Sequence, residues 1–301
     1  MTKKLVAFII LLVLVVTILT YVLIPPYIKI HRQVRVYTTE QAVMKYVMHY
    51  KKWSKWWPDA SQKFTMQKNT VSEVAGRFVA DNVTLPSTVS YTIKDSKGID
   101  LNWDGVLTTG LNPVKRILRY QNRDKIAQQI DYVLTNSKLF LEDDRHVYGI
   151  HVQKARIEDS ILLSTKRTSK VPLTVKEIYE KLSTLKAYAS AHQAKQVSYP
   201  MLNITQLNDK QYLTSLAIPV NKWVSAGKDV YIKKLVYHAN ILTVQVKGGD
   251  NSVNNALAQL SVYMRDNNYT APAIPYEELI TDRATVPDTS KWVTRICCPV
   301  L

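Results

Sequence analysis

A chain of 301 residues, 46% hydrophobic and 21% charged, has the composition of ordinary globular protein and the length for two cores. Its net charge of +16 is spread evenly along the sequence without a basic run, which speaks against nucleic acid as a partner and suits either a solvated basic surface or a body near an anionic membrane surface. The two cysteines, Cys297 and Cys298, are neighbours that a strand turns to opposite faces, so no disulfide framework is available.

In chain order, the first element is an uncharged apolar run over residues 5–24. At about 1.5 Å per residue it spans ~30 Å, the thickness of a bilayer core, so membrane lipid is its expected partner. Thr17 and Thr20 are expected to bond back to helix carbonyls. Pro25 and Pro26 stop the helix, and Tyr27 and Lys29 follow as interfacial residues. The competing reading, a cleaved signal peptide, fits less well because the run exceeds the ~7–15 apolar residues of a signal core and no small-x-small site follows. A single-pass cell-membrane protein is therefore expected, with residues 1–27 as its anchor. The short leading tail favours a body outside the cytoplasm.

Residues 27–37 alternate as a half-buried strand does. Thr38 and Gln41 fit a capping box opening a helix with Ala42, Val43, Tyr46, Val47 and Tyr50 on one face. That helix runs into Trp53, Trp56 and Trp57. Residues 64–120 read as successive strands, the last over 115–120, with turns at 95–98 and 110–113. A long helix is expected over 123–141, with Ile126, Ile130, Val133, Leu134 and Leu141 inward. The order strand, helix, run of strands, long helix gives an α+β layout in which a curved antiparallel sheet wraps a helix.

The polar stretch 142–144 marks a domain boundary, giving domains 28–145 and 146–301. Beyond it the pattern strand-strand-helix-strand-strand occurs twice. The first has strands near 147–155 and 160–167, a helix opened by a Thr174/Glu177 capping box, and strands near 201–207 and 212–218. The second has strands near 230–237 and 241–246, a helix over 252–266, and strands near 275–281 and 292–298. The seam between two such halves is a natural pocket.

No metal or cofactor is expected. The six histidines form no H-x-x-x-H with a glutamate, and C-x-x-C, nucleotide-binding glycine motifs and a G-x-S-x-G elbow are absent. Gly248-Gly249, between a strand and a helix, offers either amides for an anion or a tight turn needing positive φ. Trp53, Trp56 and Trp57 are either walls for an apolar ligand or helix-end packing. Glu277, in a stretch that reads Pro275-Tyr276-Glu277, is either an ordinary surface glutamate or a carboxylate beside aromatics, the recipe for holding a cationic amphiphile. It is expected to face Tyr276 and Trp292 in the seam, with Glu278 on the opposite face.

The stretches 217–220, 246–249 ahead of a helix, Pro275-Tyr276-Glu277, Thr281-Asp282 and 292–300 together resemble the GyrI-like effector-binding domains, over roughly 147–301. That resemblance implies two strand-helix-strand-strand modules around a small-molecule pocket, with the pocket glutamate at Glu277. Leu279 stands where many members carry a tyrosine, and members that hydrolyse small molecules use a glutamate and a tyrosine. Residues 28–141 resemble the START-like (SRPBCC, polyketide cyclase) fold through the opening strand, the 53–58 tryptophan segment, the strand run and the closing helix. That family binds hydrophobic ligands between sheet and long helix. The order anchor, START-like, GyrI-like resembles a group of bacterial membrane proteins. The expectation is a membrane-tethered binder of small, amphipathic molecules. The rival readings are a cyclase-like or hydrolase-like enzyme acting in one pocket, and an inhibitor of a protein or DNA partner.

Overall fold

A computed structural model describes residues 2–58, 62–81, 83–95, 98–158 and 161–301. Ser96 and Lys97 of the expected turn, and Ser160 at the head of an expected strand, lie outside the described residues. The chain divides into two compact units, Met1–Val147 and Tyr148–Leu301.

The first unit begins with α1 (Thr2–Leu23). Residues Lys4–Leu23 are long and apolar enough to cross a membrane, with a mean hydropathy of 3.1. A helix of this kind near an N-terminus serves as an anchor or as a signal sequence. The Thr17 and Thr20 hydroxyls donate to the carbonyls of Val13 and Val16, both at 2.8 Å, so neither polar group is left unpaired among apolar neighbours.

A five-stranded antiparallel sheet follows, in the order β1-β5-β4-β3-β2. Its strands are β1 (Tyr27–Val36), β2 (Lys63–Asn69), β3 (Glu73–Ala80), β4 (Val83–Ile93) and β5 (Ile99–Thr108). Between β1 and β2 lie α2 (Glu40–Tyr46) and a 3-10 turn (Tyr50–Lys55). The cap of α2 is Thr39, whose side chain accepts from the Ala42 N–H, not Thr38 as the sequence pattern indicates. The long α4 (Arg123–Leu141) packs on β1 and β5 and buries Ile126, Ile130, Val133, Leu134 and Leu141, the expected face. The sheet thus grips a helix.

Residues 115–120 correct the sequence reading. They are not a strand but part of α3 (Pro113–Gln121). The Asn112 side chain accepts from the Lys115 N–H, and Pro113 occupies the first helical position, where its missing N–H costs nothing. The Asn-Pro pair that reads as a turn signal is a helix start.

The second unit is an α+β layer built on an eight-stranded antiparallel sheet, β10-β7-β9-β8-β12-β13-β11-β6. Its first half carries β7 (Ile161–Ser169), α6 (Val175–Ala191), β8 (Met201–Asn208) and β9 (Gln211–Pro219). Its second carries β11 (Asn240–Lys247), α7 (Asp250–Asp266), β12 (Tyr276–Leu279) and β13 (Val293–Pro299). The capping box of α6 forms as expected, with Thr174 and Glu177 satisfying each other's backbone donors. Each leading strand pairs with the other half: β6 (Gln153–Arg156) lies on β11, and β10 (Tyr231–Lys234) on β7. The expected strand at 147–155 is shorter, since Asp144–Tyr148 form a helical turn, α5. The halves meet where β8 pairs β12, Leu202 opposite Glu277 and Met201 opposite Glu278. One face of this sheet packs Leu163, Leu202, Leu216, Ile218 and Leu279 under α6. The other carries Met201, Ala217, Ile241 and Cys297.

Candidate functional site

The β8–β12 seam is floored by residues that alternate between two faces. Glu277 and Leu279 point to the helix side, Tyr276 and Glu278 to the other, as a strand period of two dictates. On the helix side a cavity of ≈ 630 Å³ opens between α6 and α7. Val175 and Ile178 of α6 form one wall, and Val253 and Leu257 of α7 the other. Leu202, Ile204 and Ile274 complete an apolar lining around Glu277, Arg283 and Asp250.

Arg283 organises the polar end. Its side chain is 5% exposed and that of Glu277 19%. One guanidinium nitrogen, Nη2, donates to Glu277 Oε2 at 3.2 Å and to Thr294 Oγ1 at 2.8 Å. Nη1 lies 3.8 Å from Asp250 Oδ1, and Asp250 itself is solvent-exposed. The Arg283 backbone N–H donates to the Tyr179 hydroxyl of α6 at 2.7 Å, tying the loop to the first half of the sheet. Arg283 Nε is buried with no hydrogen-bond partner among the described residues. Burial pushes the Glu277 carboxyl above its ordinary pKa. Arg283 pulls it back without cancelling that effect, and Asp250 adds a smaller upward push. The cavity therefore holds a desolvated carboxyl, a buried cation paired with it, and an apolar wall.

The expected site residues fall into different places. Glu277 lies in the seam cavity, but it faces Arg283 rather than the Tyr276 and Trp292 rings. The Tyr276 ring packs on the far face among Ile157, Ile241, Met201 and Ala217, although the residue borders the cavity at its edge. Trp292 stands behind Arg283, its ring 4.8 Å from the guanidinium and its indole N–H donating to Val286 O at 2.7 Å. Glu278 pairs with Arg295 at 2.9 Å on the far face, where a smaller cavity of ≈ 290 Å³ lies.

Gly248 is away from the cavity. Its φ is +127°, its N–H donates to Trp292 O at 2.9 Å, and a Cβ there collides with the Ser252 side chain. The tight-turn account explains it, and its amide is already used. Trp53 and Trp56 are buried in the first unit, with Trp57 half-buried beside them. Their indole N–H groups donate to Val47, Tyr46 and Gln62 carbonyls at 2.6, 2.9 and 2.8 Å. With Phe64, Phe78 and Trp103 they form one aromatic cluster, and Trp53 and Trp57 border an open groove of ≈ 470 Å³. Trp103 is fully buried and its Nε1 has no partner among the described residues.

Sequence reasoning missed Arg283, Asp250 and Tyr179. The signal for Arg283 was a basic residue directly after Thr281-Asp282. For Tyr179 and Asp250 no signal exists without the fold, because α6 and α7 converge only through the sheet. Both cysteines are free and buried, and burial pushes their thiols up, so neither is poised as a nucleophile. Among the described residues no three histidine, cysteine, aspartate or glutamate side chains converge as metal ligands.

No protein-family model matches the chain, and no curated protein sequence does. Among solved structures, the EcmrR C-terminal domain is similar at 18% identity over 50% of this chain and 98% of its own, with a TM-score of 0.44. A hydrolase from Listeria innocua is similar at 10% identity over 50% of this chain and 91% of its own, with a TM-score of 0.37. The di-domain ARO/CYC BexL from the BE-7585A biosynthetic pathway is similar at 8% identity over 91% of this chain and 85% of its own, with a TM-score of 0.31. Superpositions this loose, at identities this low, carry no functional assignment.

Proposed function

We propose that the seam cavity binds a small amphipathic molecule, and that the protein is a membrane-tethered receptor of such molecules built as an anchor (1–27), a helix-grip domain (28–145) and a binding domain (146–301). The observation that carries the reading is the Glu277–Arg283 pair, largely buried in the wall of a cavity of ≈ 630 Å³ that Val175, Ile178, Val253 and Leu257 line with apolar surface and Asn203, Thr205, Gln206 and Asn254 with polar groups. An apolar wall beside polar groups that fix orientation suits an amphipathic ligand. The apolar body of the ligand lies against Leu202, Val253, Leu257 and Ile274, and its head group meets Glu277 and Arg283. With Glu277 ionised, two carboxylates and one guanidinium leave a net negative charge, which favours a cationic head. The anchor in this reading is α1, with lipid as its partner and the body outside the cytoplasm.

A thermal-shift screen of cationic, neutral and anionic amphiphiles tests it, because a ligand that binds only the folded state raises the midpoint. For a cationic hit, Glu277→Gln keeps the shape and removes the charge. It should weaken binding by about 1.5–3 kcal/mol, roughly ten- to a hundred-fold. Glu278→Gln, on the far face, should leave affinity unchanged. Equal affinity in the wild type and both variants removes Glu277 from the site. An enzyme would behave differently: the Glu277→Gln variant would bind but lose turnover.

A further inference from the structure

We propose that α3 is a second membrane contact, an amphipathic helix lying in the headgroup layer of an anionic bilayer beside the point where α1 leaves it. This rests on the reading of α1 as a membrane span. Leu111, just before α3, and Val114 and Leu118 on it are 86%, 64% and 52% exposed. Val114 and Leu118, four apart, form an exposed apolar stripe on one side of α3, and Leu111 is exposed just ahead of its Asn112 cap. Lys115 and Arg119 border that stripe. Apolar side chains flanked by cations are the pattern of a helix that lies in the plane of a membrane surface.

The other side of α3 is fastened to the anchor. Arg116, 5% exposed, donates through Nε to the Ile24 carbonyl at 2.9 Å. That carbonyl belongs to the end of α1, where no further helical N–H is available to it. The Arg116 guanidinium also sits 4.8 Å from the centre of the Tyr21 ring, and the Tyr21 hydroxyl donates to the Leu111 carbonyl. The Thr109 hydroxyl and N–H both reach the Pro26 carbonyl, at 3.1 and 2.9 Å, which pins the chain leaving α1 to the end of β5. These contacts set α3 at the level of the last turn of α1, whose Val22 and Leu23 are 73% and 70% exposed. A bilayer that covers those two side chains reaches Leu111, Val114 and Leu118. Tyr27, 63% exposed at the head of β1, adds an interfacial aromatic at the same exit. Membrane lipid is the occupant that this continuity and charge select.

The test uses the full chain in phosphatidylcholine vesicles with and without phosphatidylglycerol. A fluorophore that responds to polarity is attached at Leu118→Cys or, separately, Val114→Cys, both exposed positions that folding does not depend on. The wild type, whose buried Cys297 and Cys298 should not react, measures the background. A label at Val13→Cys reports the span itself. Lipids carrying quenchers at the chain centre should quench position 13. Lipids with quenchers near the headgroup should quench positions 114 and 118, about twofold more with phosphatidylglycerol present. Quenching of position 13 by lipid, with 114 and 118 quenched only by aqueous iodide, overturns the proposal and leaves the span. Protection of 114 and 118 from both lipid and iodide means that protein covers the stripe, and overturns it too. Failure of lipid to quench position 13 removes the span, and this proposal with it.

Discussion

In the first unit, Trp53 and Trp57 meet Phe64, Phe78 and Trp103 at ring separations of 4.8–6.5 Å, Trp56 packs on Trp53 and Trp57, and the three indole N–H groups of the 53–57 segment are all bonded to backbone. In the second, the two helices that cover the sheet leave a cavity between them, and a carboxylate and a guanidinium face it. Buried indole N–H groups usually find a partner, as the three of the 53–57 segment do and that of Trp103 does not among the described residues. A buried ion pair gains little net stability over apolar packing. The first region is thus a packed aromatic core, and the second leaves a cavity with a charged pair in its wall.

Variants can break that contrast. Trp103→Ala, at the centre of the rings, should destabilise the first unit by about 3–5 kcal/mol in urea titration, and a loss below about 1 kcal/mol would mean the cluster is not a packed core. Arg283→Met should cost the second unit about 3 kcal/mol at neutral pH, because it strands the Glu277 carboxylate. That deficit should shrink on acidification. The Glu277 pKa is already raised in the folded state and rises further without Arg283. The native state then binds more protons than the unfolded one, so stability falls as pH rises through the raised pKa and is fully recovered only below the ordinary carboxylate range. A deficit independent of pH would show that Arg283 acts by packing on Trp292 alone. Gly248→Ala should cost about 1–2 kcal/mol through the positive φ and the collision with Ser252, measured by the shift in denaturation midpoint. The smallest effect is expected for Trp57→Phe, which keeps the ring stack but loses the bond to Gln62 O. It should cost about 1 kcal/mol and leave binding in the seam cavity unchanged.

The long elements were legible because their periodicity is strong. The inward face of α4 and the Thr174/Glu177 box of α6 follow directly from apolar spacing and capping chemistry. Short segments were not. Residues 115–120 follow a run of strands and a turn-like Asn-Pro pair, and the Asn112 cap shows that Pro113 begins a helix. The stretch 147–155 is mostly turn, and the strand at its end survives because β11 offers a partner more than eighty residues away. Glu277 was singled out from its neighbours in sequence, and its ion-pair partner, Arg283, comes from the following loop. Of the rings named beside it, strand alternation sends Tyr276 to the far face, and Trp292, ahead of β13, packs behind Arg283. A sequence shows which residues are close along the chain, while a site is assembled across it.

The exchange of β6 and β10 between the halves of the large sheet sets how that sheet can form. Neither half is complete alone. The strand at 153–156 waits for residues 240–243 to be present, and the strand at 231–234 must return to 161–164. Both pairings are distant in sequence, and contacts that must close long loops slow folding. A ribosome-bound chain that has emerged only to residue 220 would carry β7 without its β10 neighbour, with β7 as a bare edge and its Leu162 and Leu163 partly uncovered. Such edges invite pairing with another chain. The sheet therefore cannot close before residues 231–247 are made, and the seam that holds Glu277 cannot close before 276–279 are made.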